Sequence, residues 1–359
     1  MLAGGLATLA GCGDSTGAVT PTPTGPVDLS AEWSSAAPEA EQVDGDQLRA
    51  ALDGGARIVG LRSVLVARHG RLVAERYLAG SAADSLYALR SVTKSVVSLL
   101  VGLAVERALI RGPDQPLAEL FHPPLPPLDA ERGAITVGEL LTMTSGFQWD
   151  EGDGVTEYNN WVLAPDQLTY LLDRPIASPP GTTFNYNSAA VHLLSAVLEV
   201  NAGGTAAFAD STLLVPLGIR TRDWELDNRQ IPNGGAGLYL RPRDLAKIGQ
   251  LVLQRGRSGA TAVVPAAWID GATQRHLATS TALGALGVLD YGELWWLGTA
   301  NGHRVVLGWG HGGQFIYVVP DLDLVVVTTA TWQGLGANAR AQETAIANLI
   351  VNGITAAAR

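Results

Sequence analysis

The sequence predicts an α+β fold: an antiparallel sheet flanked by helices and built from both ends of the chain, with a helical lobe inserted between them. Two observations carry this. Strand-like text stands near both ends, as "SVLVARHGRLVAERYLAG" from Ser63 to Gly80 and as "HRVVLGWGHGG", "QFIYVVP" and "LDLVVVTTA" from His303 onward. From about Ile110 to Leu286 the text is helical segments broken by Pro- and Gly-rich loops, such as "TVGELLTMTSG", "AAVHLLSAVLEV" and "RPRDLAKIGQLVLQRG". A further expectation follows from the two-part layout, since ligands favour the cleft between such lobes.

Taken in order, the first element is not a fold element. "MLAGGLATLAGC" is small and apolar up to the chain's single cysteine, Cys12, and then gives way to Thr, Pro and Gly. This is the pattern of a bacterial lipoprotein signal in which Cys12 is lipidated. Residues 1–30 are therefore expected to be signal remnant and flexible tether, and the protein to sit in the bacterial cell envelope, lipid-anchored or secreted. The membrane enters only through that anchor. The globular part should span 31–359, with its sheet portion at 31–109 plus 286–359 and the lobe at 110–285.

Alternating apolar residues on both sides of His69-Gly70 predict a hairpin. The run "LYALRSVTKSVVSLLVGLAVE", Leu86 to Glu106, then opens an apolar helix near Ser91. After Leu286 the strands return, with Pro320-Asp321 as a turn, and an amphipathic helix from about Ala339 to Ile354 closes the chain.

Composition excludes several functions. With 359 residues, 47% hydrophobic and 16% charged, the chain is long enough for a large core. A formal net charge of -10 with no basic stripe argues against nucleic acid, which is bound by clustered Lys and Arg. One cysteine and six scattered histidines offer no zinc spacing, so neither metal nor other cofactor is expected. "GDSTG" at 13–17 matches an esterase pattern, but in the tether it lacks the strand and helix that a nucleophile elbow needs.

The chemistry is expected at Ser91 and Lys94. Lysine occurs only at Lys94 and Lys247, every other basic residue being arginine. Arginine keeps its proton near neutrality, whereas a buried lysine can lose it. Residues three apart on a helix share a face with a rise of roughly 4.5 Å. At the first turn the Ser91 amide is unpaired and points along the helix's positive end, which favours an oxyanion there. By itself Ser-x-x-Lys is equally compatible with a plain N-cap and a lysine reaching solvent.

"PPGTTFNYNSAAVHLLSAVLE" places Tyr186 just before another apolar helix, and "GWGHGGQFIYVVP" places His311-Gly312-Gly313 on the way into a strand. The order Ser-x-x-Lys, Tyr-x-Ser, His-Gly-Gly resembles the serine β-lactamase and penicillin-binding superfamily. With "LLTMTSGF", "GGAGLYLRPRDLAKIGQLV" and "GHGGQFIYVVPDLDLVVV" it is more closely similar to class C-related esterases and 6-aminohexanoate-dimer hydrolases. That resemblance covers nearly everything from Ser63 to Ile354.

The resemblance implies a β-lactamase-like fold with Ser91 as nucleophile, Lys94 beside it and Tyr186 as a general base held toward phenolate. It implies oxyanion donors at the amides of Ser91 and Gln314, and substrate contacts from Ser188, His311, Gly312 and Gly313. The implied activity is hydrolysis of small ester or amide substrates through an acyl-enzyme. Ser188 stands where class C enzymes have asparagine, and His311 where many relatives have lysine. Both changes disfavour β-lactams and D-alanyl-D-alanine termini, which remain the alternative substrates. A catalytically silent envelope binding protein is the alternative of another class.

A literal Tyr-x-Asn also begins at Tyr158, a candidate substrate contact expected on a loop over the cleft or at the surface. Asp150, Glu151 and Asp153 are expected to form a solvated acidic loop. Of nine tryptophans most are packing, with Trp149, Trp161 and Trp332 the candidates for a cleft wall.

Overall fold

The computed structural model describes residues 25–151 and 156–359. Cys12, most of the expected tether and Asp153 lie outside the described residues. The labelled elements run α1 (Gly45–Gly55), β1 (Leu61–Arg68), β2 (Arg71–Tyr77), α2 (Val92–Glu106), α3 (Thr156–Val162), α4 (Ser188–Asn201) and α5 (Pro242–Leu253). They continue with β3 (Leu277–Ala282), β4 (Val288–Tyr291), β5 (Trp296–Ala300), β6 (His303–Gly310), β7 (Gln314–Val319), β8 (Leu324–Ala330) and α6 (Ala339–Leu349).

The eight strands form one sheet in the order β2-β1-β8-β7-β6-β5-β4-β3. β1 pairs antiparallel with β8, from Leu61 opposite Ala330 to Arg68 opposite Leu324, and so joins the two ends of the chain as expected. The turn between β1 and β2 is His69-Gly70, with φ of 49° and 74°. Two successive positive φ values match the right-handed twist of the strands they connect.

Every residue of β7 and β8 is buried, because helices cover both faces of the sheet. Ile316 and Val318 of β7 face Gly249 of α5. Tyr317, between them, points the other way and meets Thr355 beyond α6. Strand alternation thus assigns the two faces.

α2 runs between sheet and lobe. Each residue from Val92 to Ala104 is buried, in keeping with a sequence that is apolar or small around the helix except at Lys94. Trp268 packs against Gly102 of α2 on one side, and α4 packs on another.

Three expected boundaries move. The sheet begins at Leu277, not near 286. α5 belongs to the sheet layer and not to the lobe, since it packs on β1, β7 and β8. Residues 27–29 are part of the folded body: the Val27 amide donates to Gln254 Oε1 and the Leu29 amide to Ser258 Oγ, both at 2.8 Å. Such long-range contacts leave no trace in local periodicity.

Candidate active site

A three-stranded ribbon, Tyr87–Ala88 with Leu238–Leu240 and Asp223–Trp224, ties the chain before α2 to the lobe. The Leu89 amide donates to the Leu238 carbonyl at 2.9 Å. Arg90 then turns back with φ of 51°, and Ser91 enters α2. The Ser91 hydroxyl makes no capping bond, so the plain N-cap alternative is set aside.

That hydroxyl meets Lys94 instead. Lys94 Nζ lies 2.8 Å from Ser91 Oγ, 2.9 Å from Ser188 Oγ and 2.6 Å from the Gly235 carbonyl oxygen. The residue is 1% exposed, so its amine does not reach solvent. Burial in this low-dielectric position lowers its pKa to about 7, with the Glu151 charge opposing the shift and Arg90 adding to it. At neutral pH a substantial fraction of the amine is therefore uncharged.

Tyr186 is half-buried at the N-terminal approach to α4, with its phenol beside the Ser91 side chain. Its ring stacks on Trp296 with centroids 5.7 Å apart, and Lys94 Nζ stands 4.8 Å from the ring centroid. Desolvation, followed by the Glu151 charge, pushes the phenol pKa up, only partly offset by the neighbouring Ser91 side chain. This corrects the expectation of a phenolate: the site keeps Tyr186 protonated.

Ser188 does not face substrate. It is fully buried at the first turn of α4, between Lys94 and Glu151. Its hydroxyl donates to Glu151 Oε1 at 2.8 Å and its amide to Glu151 Oε2 at 2.6 Å. The Trp149 indole also donates to Glu151 Oε2, at 2.7 Å. Glu151 is therefore no solvated loop residue. Sequence reading missed it because nothing local links position 151 to position 188.

The β6–β7 turn corrects another assignment. The Gly313 amide donates to the Gly310 carbonyl at 3.0 Å, and Gly310 pairs with Gln314, so both groups face across the hairpin. Gln314 is 0% exposed and its side chain bonds Ala330 on β8. It sits inside the sheet, away from the cleft.

His311 does line the cleft, with Ser91, Tyr186, Trp296 and Trp309, in a cavity of about 660 Å³. β5 begins opposite Leu307, so the β6 edge beyond it is uncovered. Antiparallel alternation turns the polar groups of Trp309 and His311 toward that open edge. Among the described residues neither the Ser91 nor the His311 amide has a protein acceptor.

Glu343 of α6 supports this turn. Its Oε1 accepts the Gly312 amide at 2.8 Å and lies 3.8 Å from His311 Nδ1, while Arg340 stands 3.5 Å from Oε2. Gly312 and Gly313 shape the turn and pack on Trp332 and Ile346, so neither is a substrate contact by its position. Burial, reinforced by Arg90, holds the His311 pKa down to about 4, so the imidazole is neutral at physiological pH.

Tyr158 is buried on α3, 7% exposed, with the Arg90 guanidinium 5.0 Å from its ring centroid. It is neither surface nor a loop over the cleft. Trp161 is core, and Trp149 holds Glu151; Trp332 stacks on Arg90 at 4.1 Å. The cleft wall belongs to Trp296 and Trp309, whose centroids are 5.4 Å apart, with Phe184. Charge in the cleft comes from Asp150, Glu151 and Glu343 against Arg340, so the lining is acidic on balance.

Residues 46–350 match the family model described as Beta-lactamase. The chain is 28% identical over 286 residues to 6-aminohexanoate-dimer hydrolase from Paenarthrobacter ureafaciens, covering 75% of this chain and 72% of the relative. It is 33% identical over 191 residues to Esterase EstB from Burkholderia gladioli, covering 46% of each. The octameric penicillin-binding protein homologue from Pyrococcus abyssi aligns with a TM-score of 0.67 at 17% identity, over 86% of this chain and 77% of that one. EstCE1, described as a hydrolase with promiscuous acyltransferase activity, aligns with a TM-score of 0.66 at 18% identity, over 86% of this chain and 100% of that one. The solved structures at these identities share the fold.

Proposed function

The chain belongs to the beta-lactamase family of serine hydrolases, and from that premise we propose that Ser91 carries the acyl group in hydrolysis of small esters or amides. The observation that supports this reading most is the buried Lys94 amine, 2.8 Å from the Ser91 hydroxyl at the wall of an open cleft.

In acylation the Ser91 oxygen attacks the substrate carbonyl carbon and its proton passes to the neutral Lys94 amine. The negative charge that develops on the carbonyl oxygen is met by the Ser91 and His311 amides, which replace the Gln314 amide in this role. The tetrahedral centre collapses with cleavage of the ester or amide bond. The Lys94 ammonium returns the proton to the leaving oxygen or nitrogen, and the Tyr186 phenol stabilises that atom as a hydrogen-bond donor. Deacylation repeats the sequence with water: Lys94 takes a proton from it, the acyl–Ser91 bond breaks, and Ser91 regains its proton.

The preferred substrate lacks an obligatory carboxylate. His311 is neutral, and Arg340, the permanent cation in the lining, already faces Glu343. The acidic balance also suits an amide that carries an ammonium group, in keeping with the name of the 28% identical relative.

The test is a panel of substrates and one probe. A fluorophosphonate should label the wild-type chain and fail to label Ser91→Ala. p-Nitrophenyl acetate and butyrate should be turned over at least about 100-fold more efficiently than nitrocefin. Rapid nitrocefin turnover with inert short esters would reverse the substrate ranking. A wild type that takes no label would point to a silent binding protein.

The two tyrosines should separate cleanly. Tyr186→Phe should lower kcat by roughly 10²- to 10³-fold, through loss of the hydrogen bond at the leaving atom. Tyr158→Phe, buried on α3 and outside the cleft lining, should retain most of kcat. Steady-state kinetics on p-nitrophenyl butyrate reads both, and equal losses would refute the assignment.

A further inference from the structure

Hydrogen-bond polarity around Lys94 assigns a role to Glu151. A carboxylate can only accept hydrogen bonds, and Glu151 takes three: the Ser188 hydroxyl, the Ser188 amide and the Trp149 indole. The Ser188 hydroxyl proton is therefore committed to Glu151, and the oxygen offers lone pairs to Lys94 at 2.9 Å. The Gly235 carbonyl is also an acceptor, at 2.6 Å from Nζ. A neutral amine has two N–H donors, and these two acceptors use both. What remains at Nζ is the lone pair, and the remaining neighbour is the Ser91 hydroxyl at 2.8 Å.

We propose that Glu151, acting through the Ser188 hydroxyl, is the positioning residue that aims the Lys94 lone pair at Ser91. The proposal rests on the acyl-enzyme reading of Ser91 and goes beyond it, because it names what sets the direction of proton transfer. Without an acceptor on its far side, the Ser188 hydroxyl is free to rotate and donate to the amine. The lone pair is then occupied by Ser188 and withdrawn from the nucleophile. Trp149 holds the carboxylate from the other flank, so its orientation does not depend on Ser188 alone. Glu151 also sits beside the N-terminal turn of α4, where the helix dipole favours negative charge.

Glu151 adds a charge effect that can be read independently. The titratable and charged groups facing Lys94 and Glu151 are Arg90 before α2, Tyr158 on α3, Tyr186 before α4, Tyr291 on β4 and the neighbouring Asp150. The Glu151 charge favours the protonated amine, against burial and Arg90. Removing its charge must therefore favour the neutral amine and move the acid limb of the pH–rate profile downward.

The experiment compares wild type, Glu151→Gln and Ser188→Ala in the full chain, with far-UV circular dichroism to confirm folding. It records kcat/KM for p-nitrophenyl acetate from pH 5 to 9 and the titration of Lys94 by ¹³Cε NMR. The chain's two lysines make that spectrum simple, and the Lys94→Arg spectrum assigns it. In Glu151→Gln the plateau should fall by roughly thirtyfold or more. The acid limb and the Lys94 midpoint should move down together by about half a pH unit to one unit. In Ser188→Ala the plateau should fall similarly while the limb moves less, because the Glu151 charge remains.

A Glu151→Gln plateau within about threefold of wild type would overturn the proposal. So would a lowered plateau with an unmoved limb and unmoved Lys94 midpoint, which marks a merely structural contact. Failure of the wild type to take a fluorophosphonate at Ser91 is a different result: it overturns the acyl-enzyme reading and any role of Glu151 in turnover with it.

Discussion

Lys94→Arg is expected to lower kcat/KM for p-nitrophenyl acetate by roughly 10³- to 10⁴-fold while the chain stays folded. The substitution keeps a cation-forming side chain of similar reach, so it removes one property above all, the ability to be uncharged. In the wild type burial lowers the Lys94 pKa to about 7, and the neutral amine is the form that can accept the Ser91 proton. Wild-type kcat/KM should therefore rise as pH passes upward through about 7, the acidic side being the inactive one. In Lys94→Arg that limb should vanish, since a guanidinium keeps its proton throughout the range. Stopped-flow measurement of the acylation step checks the rate, and the pH profile checks its origin. Activity within about tenfold of wild type, with the limb retained, would mean that another group is the base.

Gly312→Ala should cut kcat by about 100-fold, with far less change in KM for a short ester. Gly312 has φ of 85°, and an added Cβ would stand 2.9 Å from the Thr331 carbonyl oxygen and 3.0 Å from the Trp332 Cα. Both neighbours are backbone, so the turn and not a side chain must yield. Strain of this kind costs about 1–3 kcal/mol. The turn that moves carries the His311 amide, and Glu343 anchors it through the Gly312 amide at 2.8 Å. A displaced donor weakens transition-state binding more than ground-state binding, which is why kcat should bear the loss. Kinetics paired with thermal unfolding separates the two effects. A folded Gly312→Ala chain with kcat within about threefold of wild type would remove the His311 amide from the oxyanion site.

Much of the architecture was legible from text because its causes are local. Period-two alternation marked the β1–β2 hairpin, and the apolar runs after His303 marked β6, β7 and β8. The apolar run after Ser91 marked α2. The β3 start and the placement of α5 were not legible in the same way. A helix with one apolar stripe looks alike whether the stripe meets a lobe or a sheet, and only Gly249 meeting Ile316 and Val325 decides for the sheet.

At the site, spacing alone brought Ser91 and Lys94 together, because three residues on a helix share a face in any context. The sparing use of lysine added the chemical reason. Position in sequence also drew attention to Tyr186 and to the His311 turn. The roles then depended on contacts between distant segments. Gln314 and His311 are three residues apart, and strand pairing decides which of their amides can see the cleft. Glu151 and Ser188 lie far apart in the chain, and their contact turns an ordinary acidic loop residue into a partner of the amine.

The sequence by itself carried the fold class and placed Ser91 and Lys94 on one helix face, since helix geometry does not depend on distant neighbours, while the acyl-transfer chemistry came from the resemblance to β-lactamase-related hydrolases. Only the tertiary structure decided that burial pushes the phenol pKa up, that Ser188 faces inward and that the His311 amide, not that of Gln314, is turned toward the cleft. Desolvation and the direction of a hydrogen bond are set by what packs around a group, and that is assembled from segments far apart in the chain.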